Sequence, residues 1–141
     1  MRFLFDPSAC SACGACAVAC MDWNSTDPEA GMAPIRRVTE TVRDGAVYCR
    51  SESCHHCSNA PCVRVCGTGA LYRDTEFGLT LYDREKCIGC GSCVPACPFD
   101  ALYLDPEGRV YKCDGCIERQ RWGLAPACVK ACPVGALTIT E

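Results

Sequence analysis

Seventeen of the 141 residues are cysteine, and their spacing constrains this chain more than any other feature. They fall into four quartets. The first is Cys10, Cys13, Cys16 and Cys20, in CSACGACAVAC. The second is Cys54, Cys57, Cys62 and Cys66, in CHHCSNAPCVRVC. The third is Cys87, Cys90, Cys93 and Cys97, in CIGCGSCVPACP. The fourth is Cys113, Cys116, Cys128 and Cys132, in CDGCIERQRWGLAPACVKACP. Only Cys49, in the strand-like GAVYC, is left over, and it reads as a buried thiol. Thiols two residues apart converge on one centre, a spacing that a fold-spanning disulfide does not need. The odd count, and an N-terminus MRFLFDPSAC without a secretory pattern, point to a reducing, cytoplasmic setting.

Leu, Ile, Val and Phe together number 26, below the ~20% of a chain at which an aliphatic core becomes hard to build. Something else must organise the interior. The length is too short for a large catalytic cofactor and a substrate pocket together. No G-x-G-x-x-G follows a strand and no nucleophile–base pattern appears, so a non-catalytic subunit is expected. No apolar stretch approaches the ~20 residues of a membrane span. With a net charge of −3 and 14 scattered basic residues, nucleic-acid binding has little support.

The first and third quartets have the C-x2-C-x2-C-x3-C run of bacterial 4Fe-4S ferredoxins, whose fourth cysteine ligates the other cluster of a pair. Three cysteines on a tight loop cap one cube, with Gly14, Ala15, Gly89 and Gly91 letting the backbone wrap close and aim N–H groups at sulfur. The second and fourth quartets keep the first pair and the final x3 spacing. Their middle gaps open to four and eleven residues. Zinc ribbons also use C-x2-C knuckles, and the fourth quartet alone can be read that way. Two complete ferredoxin runs favour 4Fe-4S at all four. His55 and His56 read as a polar loop beside a cluster rather than as ligands.

The flanks indicate which quartets trade ligands. Asp6 and Asp83 stand four residues before Cys10 and Cys87, each after an apolar strand-like run. Ala70-Leu71, Ala101-Leu102 and Ala136-Leu137 follow quartets two, three and four at one offset. Quartets two and three, joined by the hairpin-like ALYRDTEFGLTLYD, form one two-cluster ferredoxin, and quartets one and four form a second, split across the termini. The expected ligand sets are Cys10, Cys13, Cys16 with Cys132; Cys54, Cys57, Cys62 with Cys97; Cys87, Cys90, Cys93 with Cys66; and Cys113, Cys116, Cys128 with Cys20. The segment ALYLDPEGRVYKC is also a plausible hairpin, which leaves an alternative connection between quartets three and four.

The expected class is therefore α+β, with two pseudo-symmetric ferredoxin-like modules. One comprises residues 1–20 plus 106–141, the other 54–105. Residues 21–53 form a loop and β-hairpin insertion, with Asp44-Gly45 at the hairpin turn. Within it, Trp23 and Arg36-Arg37 are candidate partner contacts, although a packed Trp and a solvated charge pair are the plainer readings.

Four quartets in this order, with CGTGAL, DREKCIGCGSCVPACPFDAL and KCDGCIERQRWGLAPACVKACPVGAL, resemble the four-cluster iron–sulfur subunits of molybdenum or tungsten oxidoreductases of the dimethyl sulfoxide reductase family. Similar small proteins serve aldehyde oxidoreductases and hydrogenases. The resemblance implies four 4Fe-4S clusters, the same ligand exchange, and a one-electron relay. It implies a large molybdenum- or tungsten-pterin partner and a further redox subunit carrying flavin, a hydrogenase centre or more iron–sulfur. A free polyferredoxin shuttle and a hydrogenase linker are the alternatives. Gly67 replaces the family's Pro after the second quartet, and the chain stops at Glu141, as a minimal soluble member would. With every ligand a cysteine, no 3Fe-4S variant is expected. Four clusters at about −2 each take the net charge to about −11, which Lys86, Lys112, Lys130 and Arg64 offset locally.

The eleven residues IERQRWGLAPA between Cys116 and Cys128 exceed what ligation needs and cost ordering entropy. They read as a short helix from Ile117 to Trp122, ended by Gly123 and returned by Pro126. Arg119, Arg121 and Trp122 are of the types enriched at interface hot spots. Either this loop docks a partner, or Trp122 shields the fourth cluster from water.

Overall fold

The computed structural model describes residues 1–140. Its elements run, in order, β1 (Arg2–Phe5), α1 (Ala15–Trp23), β2 (Arg37–Arg43), β3 (Ala46–Glu52), α2 (Pro61–Val65), β4 (Leu71–Arg73), β5 (Thr80–Tyr82), α3 (Cys93–Ala96), β6 (Leu102–Leu104), β7 (Val110–Lys112), α4 (Ile117–Arg121), α5 (Ala127–Ala131) and β8 (Leu137–Thr140). The fold is α+β, built from short helices and two-stranded antiparallel ribbons.

Cysteine spacing sets the helices. Each of α1, α2, α3 and α5 contains the third cysteine of a quartet in its first two residues. In α2, α3 and α5 the fourth cysteine, at the end of the x3 spacing, is the C-cap, with extended backbone at Cys66, Cys97 and Cys132. Pro61 starts α2 and Pro126 precedes α5, where a missing N–H costs nothing. The exception is α1, which runs nine residues and keeps Cys20 buried inside it. This continuation occupies the place of the Ala-Leu exit that the first quartet lacks.

One of the four ribbons links distant parts of the chain, and the other three are hairpins of consecutive strands. β1 pairs with β8, with Phe3 opposite Ile139 and Phe5 opposite Leu137. β4 pairs with β5, with Leu71 opposite Tyr82, and β6 with β7, with Leu102 opposite Lys112. The segment ALYLDPEGRVYKC is thus a hairpin as well. β2 and β3 form the hairpin signalled by Asp44-Gly45, both with positive φ as the favoured two-residue turn demands. α1 packs on α5 and α2 on α3. Tyr111 Oη donates to the Ala33 carbonyl at 3.0 Å, which ties the insertion to β7.

Sulfur fills the core where aliphatic side chains are scarce. One buried cluster joins Cys20, Cys54 and Cys113 with Ile35, Ala101 and Tyr111, and a second joins Cys62 and Cys93 with Leu71 and Leu102. No helix among the described residues is long and apolar enough to cross a membrane.

Candidate metal centres

All seventeen cysteines are free thiols. Each quartet opens with the same local device: two residues after its first cysteine the backbone turns left-handed, at Ala12, His56, Gly89 and Gly115. That turn points an N–H back at sulfur. Ala12 N donates to Cys10 Sγ at 3.4 Å, His56 N to Cys54 Sγ at 3.3 Å, and Gly115 N to Cys113 Sγ at 3.4 Å. In the third quartet the donor to Cys87 Sγ is Val110 N, at 3.4 Å. Gly89 has a further reason to be glycine, because a Cβ there would stand 2.7 Å from the Gly108 carbonyl oxygen. N–H groups converging on sulfur suit thiolates, which accept such bonds far better than neutral thiols do.

Two hollows each bring three cysteines of one quartet together with the last cysteine of another. One hollow is lined by Cys10, Cys13, Cys16 and Cys132, and another by Cys66, Cys87, Cys90 and Cys93. Cys20 lies beside Cys128 and Cys116, whose charges add to the effect of burial in pushing its thiol up to about 12. Burial also raises Cys57 and Cys62, and Cys54 and Cys97 add to both. The cysteines line these hollows. Among the described residues no three His, Cys, Asp or Glu side chains converge as they do on a single ion.

The Ala-Leu exits have a function in this geometry. Around Cys132, burial works upward but is outweighed by backbone N–H groups of Leu137, Val134, Ala136 and Gly135, so the thiol lies below its ordinary value. Cys66 is likewise lowered against burial, by Leu71, Thr68 and Ala70. The turn after the helix wraps N–H donors around the fourth sulfur. Deeper thiols go the other way, and burial raises Cys113 strongly and takes Cys93 and Cys116 to about 11. Such thiols keep their protons at neutral pH until a metal centre displaces them. The donor set therefore fits four-iron clusters: sulfurs in fours with N–H groups aimed at them.

Two buried cations complete the surroundings, and the sequence did not mark either as buried. Arg36 is 2% exposed; its guanidinium donates to Ser51 Oγ at 3.1 Å and Ser53 Oγ at 2.7 Å and lies over the Phe3 ring. Burial holds the Cys128 thiol above its ordinary value, and the charge of Arg36 and a hydrogen bond from it lessen that rise. The reading of Arg36-Arg37 as a solvated pair is therefore corrected for Arg36; strand β2 begins one residue later and turns Arg37 outward to Asp100, 3.6 Å away. Lys112 is 0% exposed. Its Nζ donates to Cys54 Sγ at 3.4 Å, to the Cys113 carbonyl at 2.6 Å and to the Thr80 carbonyl. His56 is buried too, with Nε2 3.4 Å from Cys113 Sγ, whereas His55 stacks on Phe99 with centroids 3.7 Å apart. Burial, and then the charge of Lys112, hold the His56 imidazole well below its ordinary pKa. Of the other offsetting cations, Arg64 bonds Asn59 at 2.6 Å, and Lys86 and Lys130 lie near the surface. Cys49 sits beside Cys10 and Glu40, whose charges add to the upward effect of burial.

The loop between Cys116 and Cys128 forms the short helix α4, and Gly123 follows it with positive φ. Arg119 faces inward, over the Trp23 ring at 5.1 Å, with Nε donating to the Ala125 carbonyl at 2.8 Å. It holds the loop together. Arg121 pairs with Glu118 at 2.7 Å on the surface. Trp122 packs edge-on to Trp23 and is 65% exposed, so its face is turned to solvent.

The family model described as a 4Fe-4S dicluster domain matches residues 45–141, and one described as a 4Fe-4S binding domain matches residues 7–23. The thiosulfate reductase electron transfer subunit of Salmonella typhi is 42% identical over 139 residues, which are 95% of this chain and 72% of that protein. The B subunit of the anaerobic dimethyl sulfoxide reductase of Haemophilus influenzae is 38% identical over 146 residues, 96% and 71% respectively. The iron-sulfur subunit of the nitrate-inducible formate dehydrogenase of Escherichia coli is 36% identical over 152 residues, 95% of this chain and 52% of that one. The chain thus spans about half the length of this last relative. Family models at both ends of the sequence and identity along nearly all of it lead to one assignment: the chain belongs to the 4Fe-4S dicluster family.

Proposed function

We propose that the chain is a non-catalytic electron-relay subunit carrying four 4Fe-4S clusters for a large molybdenum- or tungsten-pterin oxidoreductase. The observation that carries this reading is the exchange of fourth cysteines: Cys132 joins the hollow of Cys10, Cys13 and Cys16, and Cys66 that of Cys87, Cys90 and Cys93. The ligand sets are Cys10, Cys13, Cys16, Cys132; Cys54, Cys57, Cys62, Cys97; Cys87, Cys90, Cys93, Cys66; and Cys113, Cys116, Cys128, Cys20. They define two modules, residues 1–20 with 106–141 and residues 54–105, with 21–53 inserted and the β6–β7 hairpin as the hand-over. Cysteines spent on clusters rather than on disulfides suit a cytoplasmic, reducing location.

A bound 4Fe-4S cluster supplies one-electron storage at a potential set by its surroundings. The cysteines arrange that storage in a line. Cys16 lies close enough to Cys128 to raise it, Cys54 to Cys113, and Cys62 to Cys93. The order is thus first quartet, fourth, second, third. Cys13 and Cys90, at the two ends, are exposed, whereas Cys113 and Cys54 in the middle are buried. Electrons therefore enter and leave at the ends. The face bearing Trp122 and Arg121, beside the fourth quartet, docks the partner and leaves an end of the line to pass the electron.

The test is anaerobic purification from the native source. The expected result is a complex with a large molybdenum- or tungsten-containing protein whose substrate bleaches the iron–sulfur absorbance of this chain. Recovery as a free monomer, reduced only by diffusible donors, overturns the subunit reading.

A further inference from the structure

Lys112 and His56 make a crossed contact. Lys112 is the residue before Cys113 of the fourth quartet, yet its ammonium donates to Cys54 Sγ of the second, at 3.4 Å. His56 is two residues after Cys54, yet its ring meets Cys113 Sγ at 3.4 Å. The tautomer follows from a neighbour. Thr80 N donates to His56 Nδ1 at 3.1 Å, so Nδ1 accepts and the ring proton is on Nε2, aimed at Cys113 sulfur.

The placement is costly unless sulfur carries charge. Among the described residues no carboxylate lies within ion-pairing distance of Lys112, which is 0% exposed. Its three donors are used by two carbonyls and Cys54 Sγ. A buried ammonium without a counter-charge is strongly disfavoured. The counter-charge available is that of the cluster thiolates on either side. Reduction by one electron would break no bond and would lower the charge of the iron–sulfide core by one, which a cation or N–H already aimed at its thiolate sulfurs would stabilise without reorganisation.

We propose that Lys112 and His56 are crossed positioning residues that raise the reduction potentials of the two central clusters, Lys112 acting on the one held by Cys54, Cys57, Cys62 and Cys97, and His56 on the one held by Cys113, Cys116, Cys128 and Cys20. The proposal rests on the ligand sets given above. Each residue acts on the cluster that is not its neighbour in sequence, so the two middle steps of the relay are tuned by one buried junction.

The experiment is an electron-paramagnetic-resonance-monitored titration with dithionite on the holoprotein, with Cys57→Ser and Cys116→Ser identifying the signals of the two clusters. Lys112→Met should lower the reduction constant of the Cys57-sensitive cluster at least tenfold, about 59 mV for one electron. His56→Phe should lower that of the Cys116-sensitive cluster, and Lys112→Arg should restore most of the Lys112→Met loss. A Lys112→Met shift confined to the Cys116-sensitive signal, or equal in all four, overturns the crossed pair alone. Cys57→Ser and Cys116→Ser altering the same signal overturns the ligand sets and the pair with them. Should Lys112→Met lose its clusters, His56→Phe in deuterated buffer decides: loss of an exchangeable deuteron coupling from the Cys116-sensitive signal, with the backbone N–H couplings retained, is expected, and an unchanged set of couplings overturns the proposal.

Discussion

The backbone N–H of Asp6 donates to the carbonyl of Ala136 at 2.8 Å, and Asp83 donates to Ala70 at 2.7 Å in the same way. Each aspartate also accepts, through Oδ1, from the N–H two residues on: Ser8 at 2.9 Å and Glu85 at 3.0 Å. The entry to the first quartet is thus bonded to the exit of the fourth, and the entry to the third to the exit of the second. This repeated bond supports the ligand exchange proposed here, because it carries Cys132 to the first loop and Cys66 to the third.

Protein purified anaerobically should contain about sixteen irons and sixteen acid-labile sulfides per chain. About twelve irons with one zinc would instead mean that the long-gapped fourth quartet is a zinc site.

Arg36→Met should weaken the fourth site selectively, since it removes the buried charge beside Cys128. The expected loss on standing is about a quarter of the iron, from the cluster that Cys116→Ser also affects. Arg37→Met removes a pair with Asp100 worth about 0–1 kcal/mol and a hydrogen bond to the Phe99 carbonyl, neither of them at a sulfur, and should leave iron content unchanged. Equal losses in the two variants would contradict the role given to Arg36.

Much of this organisation was legible in the sequence. The quartets, the turn at Asp44-Gly45 and the hairpins after Ala70 and Ala101 are local signals carried by spacing and turn chemistry. Arg36, His56 and Lys112 were not legible as buried groups, because their burial depends on partners far away in the chain. The sulfur contacted by Lys112 is 58 positions off, and that contacted by His56 is 57. Nothing local separates Arg36 from Arg37, although one ends buried beside sulfur and the other at the surface. The repeated Ala-Leu was visible, but its reason, N–H groups folded around the fourth sulfur, needed the turn geometry.

Gly115→Ala should be the most damaging single glycine change in the fourth loop. A Cβ there would lie 2.7 Å from Leu79 Cδ2, and φ is +67°. Left-handed strain of about 1–2 kcal/mol adds to overpacking of about 1–3 kcal/mol. Gly31→Ala meets nothing within 4 Å, also at positive φ, and should cost only the strain. Thermal midpoints and iron retention check the difference; equal effects would show that the Leu79 contact yields freely.

Trp122→Ala combined with Arg121→Glu should slow electron transfer to the partner several-fold and leave iron content and dithionite reduction unchanged, because both side chains face solvent. Arg119→Ala differs in kind: it removes the bond to Ala125 and the contact with Trp23, so it should loosen the loop and lower iron retention. Iron loss in the first variant with normal transfer in the remaining complex would make the loop a lid instead of a docking face.

The most direct test is the electron paramagnetic resonance spectrum of reduced Cys20→Ser, set beside those of Cys13→Ser and Cys116→Ser. Exchange of fourth ligands predicts that Cys20→Ser alters the signal altered by Cys116→Ser and leaves the one altered by Cys13→Ser intact, although Cys20 stands in the first quartet. Damage confined to the Cys13-sensitive signal would contradict the account.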